Sequence, residues 1–410
     1  MKIIQITAAY KPAYIYGGPT MSVAKLCESL GSWKDEETGS SDVRKCDRWI
    51  EKLTLKVFTT TANGKNELEV EPNQTKIVDG VEVSYFSRIT KDHTHFSPAL
   101  LYNLFKVLRQ AQHDKIGIII HIHAWWNLVS VLSCAVAFWH KIPVVLSPRG
   151  MLTTYTQTNR NSLAKNLIHK IIGKRLLNYC HIHATSEKEK YDILTLVNPK
   201  SIVVIPNLVQ LNDHHVTNKE QQSINNENTA IPFKIIFLSR IEEKKGLELL
   251  FDALSILNFD FILTIAGSGN KDYIQSLKTR ATHLKLADKI SWLGQVKNDD
   301  KFNLLSKNDI MVLTSYNENF ANVVIESLSV GTAVILSNQV GLANYVTENN
   351  LGWITKLDVH SVADKLNLSY QDNQKRNKIR KLAASLIFKD FNDKILAQKY
   401  IKLYTDILNG

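Results

Sequence analysis

The chain is poor in several things that would have fixed its chemistry early. Its 410 residues hold four cysteines (Cys27, Cys46, Cys134, Cys180), with no metal-ligand spacing and no short-loop framework. Cys134 and Cys180 lie in apolar runs, as core thiols do, and such usage fits a reducing compartment. No Asp-x-Asp pair occurs, so a two-carboxylate clamp for a divalent metal is not expected. No G-x-G-x-x-G follows a strand, which removes the main support for a dinucleotide site. The longest apolar stretch, near Leu128 to Trp139, is too short to span a bilayer. The opening MKIIQITAAYKP reads as a strand rather than a secretory leader. A soluble or peripheral protein, cytoplasmic and at most attached to the inner face of the cell membrane, is expected. Zinc spacing, RNP-like aromatics and a basic arm are all missing, so nucleic acid is not expected as a partner.

Acidic residues are also unevenly absent. None occurs between Asp114 and Glu187, an interval that carries Lys115, Lys141, Arg149, Arg160, Lys165, Lys170, Lys174 and Arg175. With a net charge of +11, this interval reads either as a solvated basic surface or as a patch for an anionic partner.

What is present is ordinary globular material, 22% charged and 44% hydrophobic, with length for two or three domains. Short apolar runs alternate with amphipathic segments, the pattern of βαβ units and parallel sheets. The first series is KIIQIT, TLKVFTT, VEVSYF, IGIIIHIH, IPVVLS, CHIHAT and SIVVIP, with helices at Pro98 to His113 and Ser162 to Asn178 among those between. The second is FKIIFLS, DFILTIAG, KISWLG, DIMVLTS, TAVILS and LGWIT. A polar stretch lies between the two series and reads as a linker or surface loop. The expected organisation is α/β: a Rossmann-like domain over 1–208, a linker over 209–231, and a second over 232–390, with a cleft between them. The last helix, about 391–410, is free to pack back onto the first domain. A polar insert at 33–52 has no assignable chemistry.

Two acids and two cations fall where a strand hands over to a helix, which is where doubly wound sheets bind ligands. Glu318 and Glu326 flank a helix start expected near Phe320. Eight helical residues advance about 12 Å and turn about 80°, so the acids would touch different parts of one long ligand. The first-turn N–H groups of Phe320, Ala321 and Asn322 would favour an anion. The plainer alternative for Glu318 is an acid stabilised by a helix dipole. Arg240 ends one strand and Lys245-Gly246 opens the next helix. A planar fork and a mobile point charge both suit a diphosphate. The plainer alternative for Arg240 is an ion pair with Glu242 or Glu243. Gly17-Gly18 precede a helix and could form a phosphate nest or a mere turn.

Taken together and in order, Gly17-Gly18, HIHAWW, SPRGML, ATSEKE, IPN, SRIEEKKG, AGSG, LGQV, ENFANVVIE and GTAVILS resemble a retaining glycosyltransferase of family 4, with the GT-B fold. The resemblance covers nearly the whole chain and extends to O-antigen and exopolysaccharide enzymes. It implies that Arg240 and Lys245 bind a donor diphosphate, Glu326 the nucleotide ribose and Glu318 the donor sugar beside the Phe320 and Ala321 N–H groups. Gly18 would approach the phosphates on domain closure, and Gly267, Gly269, Gly294, Gln295 and Val296 would line the base pocket. Asn207 would sit near the hinge. Two departures stand out. Arg149 replaces a histidine common among relatives, and Leu208 replaces a glycine. Arg149 cannot serve as a base at neutral pH, but it can bind a sugar hydroxyl or an acceptor phosphate.

The reaction implied uses a UDP- or GDP-sugar, needs no cofactor or metal, and retains the anomeric configuration by same-face attack. His121 and His123 face one side of a strand; two hydrogen-bonded histidines are the favoured reading over a metal pair. The acceptor, a glycan or a polyprenyl-diphosphate sugar, is expected on the first domain. Lys165, Lys170, Lys174 and Arg175 are candidates to meet it or an anionic membrane. Two competing readings are a GT-B epimerase acting on the nucleotide-sugar itself and a sensor that binds without turnover.

Overall fold

The computed structural model describes residues 1–33, 53–114, 116–153, 173–211 and 232–410. The insert at 34–52, most of the helix expected over Ser162 to Asn178, and the linker at 212–231 lie outside the described residues, as do Lys165 and Lys170. The chain divides into two compact units, Met1–Val209 with Phe391–Gly410, and Gln210–Asp390.

In the first unit the strands run β1 (Lys2–Ile6), β2 (Thr54–Thr60), a short hairpin β3–β4 (Ala62–Asn63, Asn66–Glu67), β5 (Thr75–Val78), β6 (Val81–Phe86), β7 (Ile118–His123), β8 (Val144–Ser147), β9 (His181–Ala184) and β10 (Ser201–Val204). Eight of them form one sheet in the order β10-β9-β8-β7-β1-β2-β6-β5. All pairings are parallel except β5 with β6. A central strand of a parallel sheet is covered on both faces and reads as a continuous apolar run. β7, IIIHIH, is buried at every position, and its two histidines are therefore interior groups. The helix Pro98–His113 forms where expected because Ser97 accepts a hydrogen bond from the Leu100 N–H (3.3 Å) and Pro98 needs no donor partner. Leu100, Leu104, Leu108 and Ala111 put one apolar stripe on the sheet.

The second unit carries β11 (Phe233–Leu238), β12 (Phe261–Ala266), β13 (Ile290–Gly294), β14 (Ile310–Leu313), β15 (Ala333–Ser337) and β16 (Gly352–Thr355). They form an all-parallel sheet in the order β13-β12-β11-β14-β15-β16. The order reverses between β11 and β14. Such a switch point opens a crevice at the carboxyl ends of the two strands.

Every strand of the two series read from the sequence is present. β5 was missed because its residues are largely exposed and leave no apolar alternation to see. The C-terminal helix Asp393–Asn409 belongs to the first unit. Leu396, Ala397, Tyr400, Ile401 and Tyr404 share a core with Ile3, Leu26, Ile119 and Val145.

Candidate active site

In the second unit the cation-bearing segment follows β11 and the acid-bearing segment follows β14, so both flank the switch point. Their backbones are tied together. The Tyr316 N–H donates to the Lys244 carbonyl (2.9 Å), and the Thr314 hydroxyl donates to the Gly246 carbonyl (2.8 Å). Gly246 has φ +68, and a Cβ there would lie 2.3 Å from the Thr314 carbonyl oxygen. No side chain fits, and the left-handed turn favours glycine. This lets Lys245 leave the short turn Glu243–Lys245 and lie nearly buried.

The Lys245 ammonium is ion-paired with the Glu318 carboxylate. Burial lowers the Lys245 pKa from its ordinary value, while Glu318 pulls it back up. Glu318 is fixed on its other side. Its N–H donates to the Gln339 carbonyl (3.2 Å), and its carbonyl accepts from the Gly341 N–H (2.8 Å). One acid and one cation expected at the site therefore meet directly. Arg240 does not join them: its guanidinium pairs with Glu242 at 2.7 Å, and both side chains are partly exposed. This is the plainer of the two sequence readings.

The helix start differs from expectation. Ala321 has φ +69 and caps a helix that begins at Asn322, not near Phe320. A left-handed residue cannot continue a right-handed helix, so the helical spacing assumed between Glu318 and Glu326 applies only from residue 322. Glu326 lies within that helix and is nearly buried. Its partner, missed from the sequence, is Lys301, at 2.7 Å from the neighbouring helix Asn298–Ser306. Lys301 sits among ordinary surface lysines in sequence, and only the packing of the two helices reveals it.

Gly267 and Gly269 have a structural reason of their own. A Cβ on either would fall 1.8 Å from the Ser239 carbonyl oxygen or 2.1 Å from that of Ile241. The Ile241 N–H donates to the Ser268 carbonyl (2.8 Å). The loops after β11 and β12 thus touch backbone to backbone, which holds Arg240 and Ile241 in place. Gly294 ends β13 with φ +67. Beside it, Gln295 and Val296 line an open depression with Leu293, Lys297, Asn303 and Leu304.

In the first unit Gly17 (φ +65) caps the helix Gly18–Gly31 after β1, and Arg149 follows β8. Arg149 also has a left-handed backbone, φ +53. Its guanidinium donates to His123 Nδ1 through Nε and Nη2 (both 3.3 Å) and to Asn207 Oδ1 through Nη1 (3.0 Å). His121 and His123 are satisfied by hydrogen bonds, His121 to Tyr404 and Ser147 (2.7 Å each) and His123 to Gln5 (2.7 Å) and Arg149. Burial holds both histidines well below their ordinary pKa, and drives His183 down to about 3. Sequence reading missed Gln5, Ser147, His183, Tyr400 and Tyr404; the i, i+4 tyrosines on an apolar helix were the available signal. Among the described residues no three or more His, Cys, Asp or Glu cluster as metal ligands would. Lys174 and Arg175 are exposed at the start of the helix Lys174–Tyr179, with the Arg175 guanidinium 5.2 Å over the Phe138 ring. No described helix is long and apolar enough to cross a membrane.

Comparison with known proteins agrees with this architecture. The Glycosyltransferase Family 4 profile matches residues 49–213, and the Glycosyl transferases group 1 profile matches residues 218–385. A D-inositol 3-phosphate glycosyltransferase of Paenarthrobacter aurescens is 30% identical over 163 residues, 37% of this chain and 39% of that protein. An uncharacterized 41.2 kDa protein from the cps region of Klebsiella pneumoniae is 19% identical over 81% of this chain and 89% of its own length. The chain spans less than half the length of the first curated relatives it matches. Anabaena HepE, solved in complex with UDP and glucose, superposes with a TM-score of 0.69 at 18% identity over 99% of this chain and 100% of that one. Two adjoining family profiles, two parallel doubly wound sheets and a shared architecture lead to one assignment: the chain belongs to the family 4 glycosyltransferases and has the GT-B fold.

Proposed function

We propose that the protein is a retaining glycosyltransferase that moves a sugar from a UDP- or GDP-sugar to a glycan or lipid-linked acceptor in bacterial surface polysaccharide synthesis. The observation that carries this is the buried Lys245 paired with the partly buried Glu318 at the switch point of the second sheet, with Glu326 on the helix that follows. Lys245 is a cation held where burial penalises it, and a diphosphate is the ligand that would use it. Breaking the bond from the anomeric carbon to the diphosphate builds positive charge on the sugar and negative charge on the leaving oxygen. Lys245 would offset the second, and such a group typically contributes a few kcal/mol. Glu318 would orient the sugar, Glu326 the ribose, and Arg240 would turn from Glu242 to the phosphates. The leaving phosphate oxygen would take the acceptor proton, so no protein nucleophile is invoked. Gly294 and Val296 would contact the donor, and Gly267 and Gly269 would hold the loops that do. The relative from the cps region and the UDP complex of HepE support the polysaccharide context and the nucleotide-sugar donor.

The test is turnover with a panel of nucleotide-sugars. Glu318→Ala should lower kcat far more than it weakens donor binding, and Glu326→Ala should weaken binding. Chelation should leave transfer intact; activity lost to chelator and restored by one metal would remove the metal-free reading. A new sugar nucleotide formed without acceptor would favour an epimerase. For the membrane, the exposed Lys174 and Arg175, the latter over the Phe138 ring, support a peripheral contact worth roughly 1 kcal/mol per well-placed cation. Equal lack of binding to neutral and anionic vesicles at low salt would remove it.

A further inference from the structure

The first unit contains a directed chain of hydrogen bonds whose two ends admit only one polarity. His183 Nε2 lies 2.8 Å from the Ile205 carbonyl, which can only accept, so the proton is on Nε2 and Nδ1 is an acceptor. The Ser147 hydroxyl then donates to His183 Nδ1 (2.6 Å) and accepts from His121 Nε2 (2.7 Å). His121 Nδ1 accepts from the Tyr404 hydroxyl (2.7 Å), which accepts from Gln5 Nε2 (3.3 Å). Gln5 Oε1 accepts from His123 Nε2 (2.7 Å). His123 Nδ1 is left as an acceptor and faces the Arg149 guanidinium, which can only donate. The same polarity runs from Arg149 to Ile205 without a conflict.

The chain ends on a positive charge whose hydrogen-bond partners among the described residues are neutral. Arg149 has five N–H groups; three of them serve two neutral acceptors, His123 Nδ1 and Asn207 Oδ1. It has no carboxylate partner among the described residues. Glu189, on the helix Glu187–Leu194, acts on the Arg149 charge without reaching ion-pair distance, and accepts from the Gly150 N–H (2.7 Å), the Thr185 N–H (2.7 Å) and the Thr185 hydroxyl (2.9 Å). A purely structural role would be served better by a paired or neutral residue, because a desolvated unpaired charge is costly. Arg149 also occupies a left-handed backbone that arginine does not favour, and strain of this kind gathers at ligand sites. Its position at the carboxyl end of β8, two strands from β1, lies on the ligand-binding edge of the sheet.

We propose that Arg149 is an oxyanion-binding residue of the first unit, taking a carboxylate or phosphate group carried by the molecule that this unit holds. The inference rests on the glycosyl-transfer reading only for the identity of that molecule, a uronic-acid-bearing or phosphorylated acceptor. Planar N–H groups suit both oxyanions, and Arg149 has two N–H groups beyond the three that serve His123 and Asn207.

The experiment is calorimetric titration of the full-length protein at fixed ionic strength, with excess UDP present to fill the second unit's cations. The probes are glucuronate, inorganic phosphate and, as the neutral control, glucose. Wild type should bind at least one of the two anions more tightly than glucose. Arg149→Gln should weaken that binding at least tenfold while leaving UDP affinity and the melting temperature close to wild type. A preference for glucuronate assigns a uronic acid, and a preference for phosphate assigns a phosphorylated acceptor. If Arg149→Gln does not fold, Arg149→Lys decides; it keeps the charge but loses the fork, and should weaken anion binding at least threefold. Anions that bind wild type no better than glucose, or variants that bind them as wild type does, overturn the proposal. UDP is titrated separately into each protein before the anion series, so a failed donor site would be seen apart from a failed Arg149 site.

Discussion

The two carboxylates of the second unit's candidate site, Glu318 and Glu326, are held by two lysines, and only one of those lysines could be picked out from the sequence. Arg240 to Lys245 and Glu318 to Glu326 carry recognisable spacings. Lys301 carries none, because its role depends on two helices lying side by side. Its ammonium, 2.7 Å from Glu326, fixes the carboxylate that is proposed to meet the ribose. Lys301→Met should weaken UDP binding about tenfold, or about 1.4 kcal/mol, with little change in kcat, and should lower the melting temperature because a nearly buried carboxylate loses its partner. Titration calorimetry and a thermal melt check both; unchanged UDP affinity would make the pair structural only. The glycines add a packing demand to their expected place in the base pocket: the Ser239 carbonyl leaves Gly267 no room for a side chain. Gly267→Ala should destabilise by more than about 3 kcal/mol, measured by urea unfolding.

At the scale of elements, the C-terminal helix Asp393–Asn409 is tied to the first sheet by polar groups as well as apolar ones. Tyr404 reaches His121 and Gln5, and Tyr400 lies 3.0 Å from His183 Nε2. Tyr404→Phe removes the donor to His121 and the acceptor for Gln5, leaving buried groups unpaired at about 1–3 kcal/mol. The same network sets a pH dependence. Burial keeps His121, His123 and His183 neutral in the folded chain, His183 with a pKa of about 3. The unfolded chain takes up these protons near pH 6.5. Stability is therefore full above that value and is lost as the pH falls toward the folded pKa, by about 1.4 kcal/mol per pH unit for each histidine. Urea midpoints between pH 7.5 and 5 should fall accordingly, with a shallower slope for His183→Gln. A flat profile would mean that these rings titrate normally in the folded state. Strands were legible because fully buried parallel strands are continuous apolar runs. β5 and the hairpin of β3 and β4 were not, because edge residues carry no such pattern.

At the scale of the whole molecule, the sequence announces two βαβ series, and each becomes a sheet whose order reverses once, parallel throughout except for the edge strand β5 of the first. That reversal, set by strand order, decides where ligands bind, and it explains why residues about seventy positions apart, Lys245 and Glu318, meet in one ion pair. The family resemblance was legible for the same reason: its motifs sit on the loops at the carboxyl ends of the strands, where geometry leaves little choice. Partners such as Lys301 and the hydrogen-bond chain behind Arg149 were not, since they arise from contacts between elements distant in the chain. The net charge of +11 is not informative about which loop binds what. The central claim, that the switch point of the second sheet grips a nucleoside diphosphate, is tested most directly by titrating UDP and GDP into wild type, Lys245→Ala and Glu326→Ala by calorimetry. The account predicts that one of the two nucleotides binds wild type and that each variant, folded by its thermal melt, binds it at least tenfold more weakly. No binding of either nucleotide to wild type, or equal affinity in all three proteins, would contradict it.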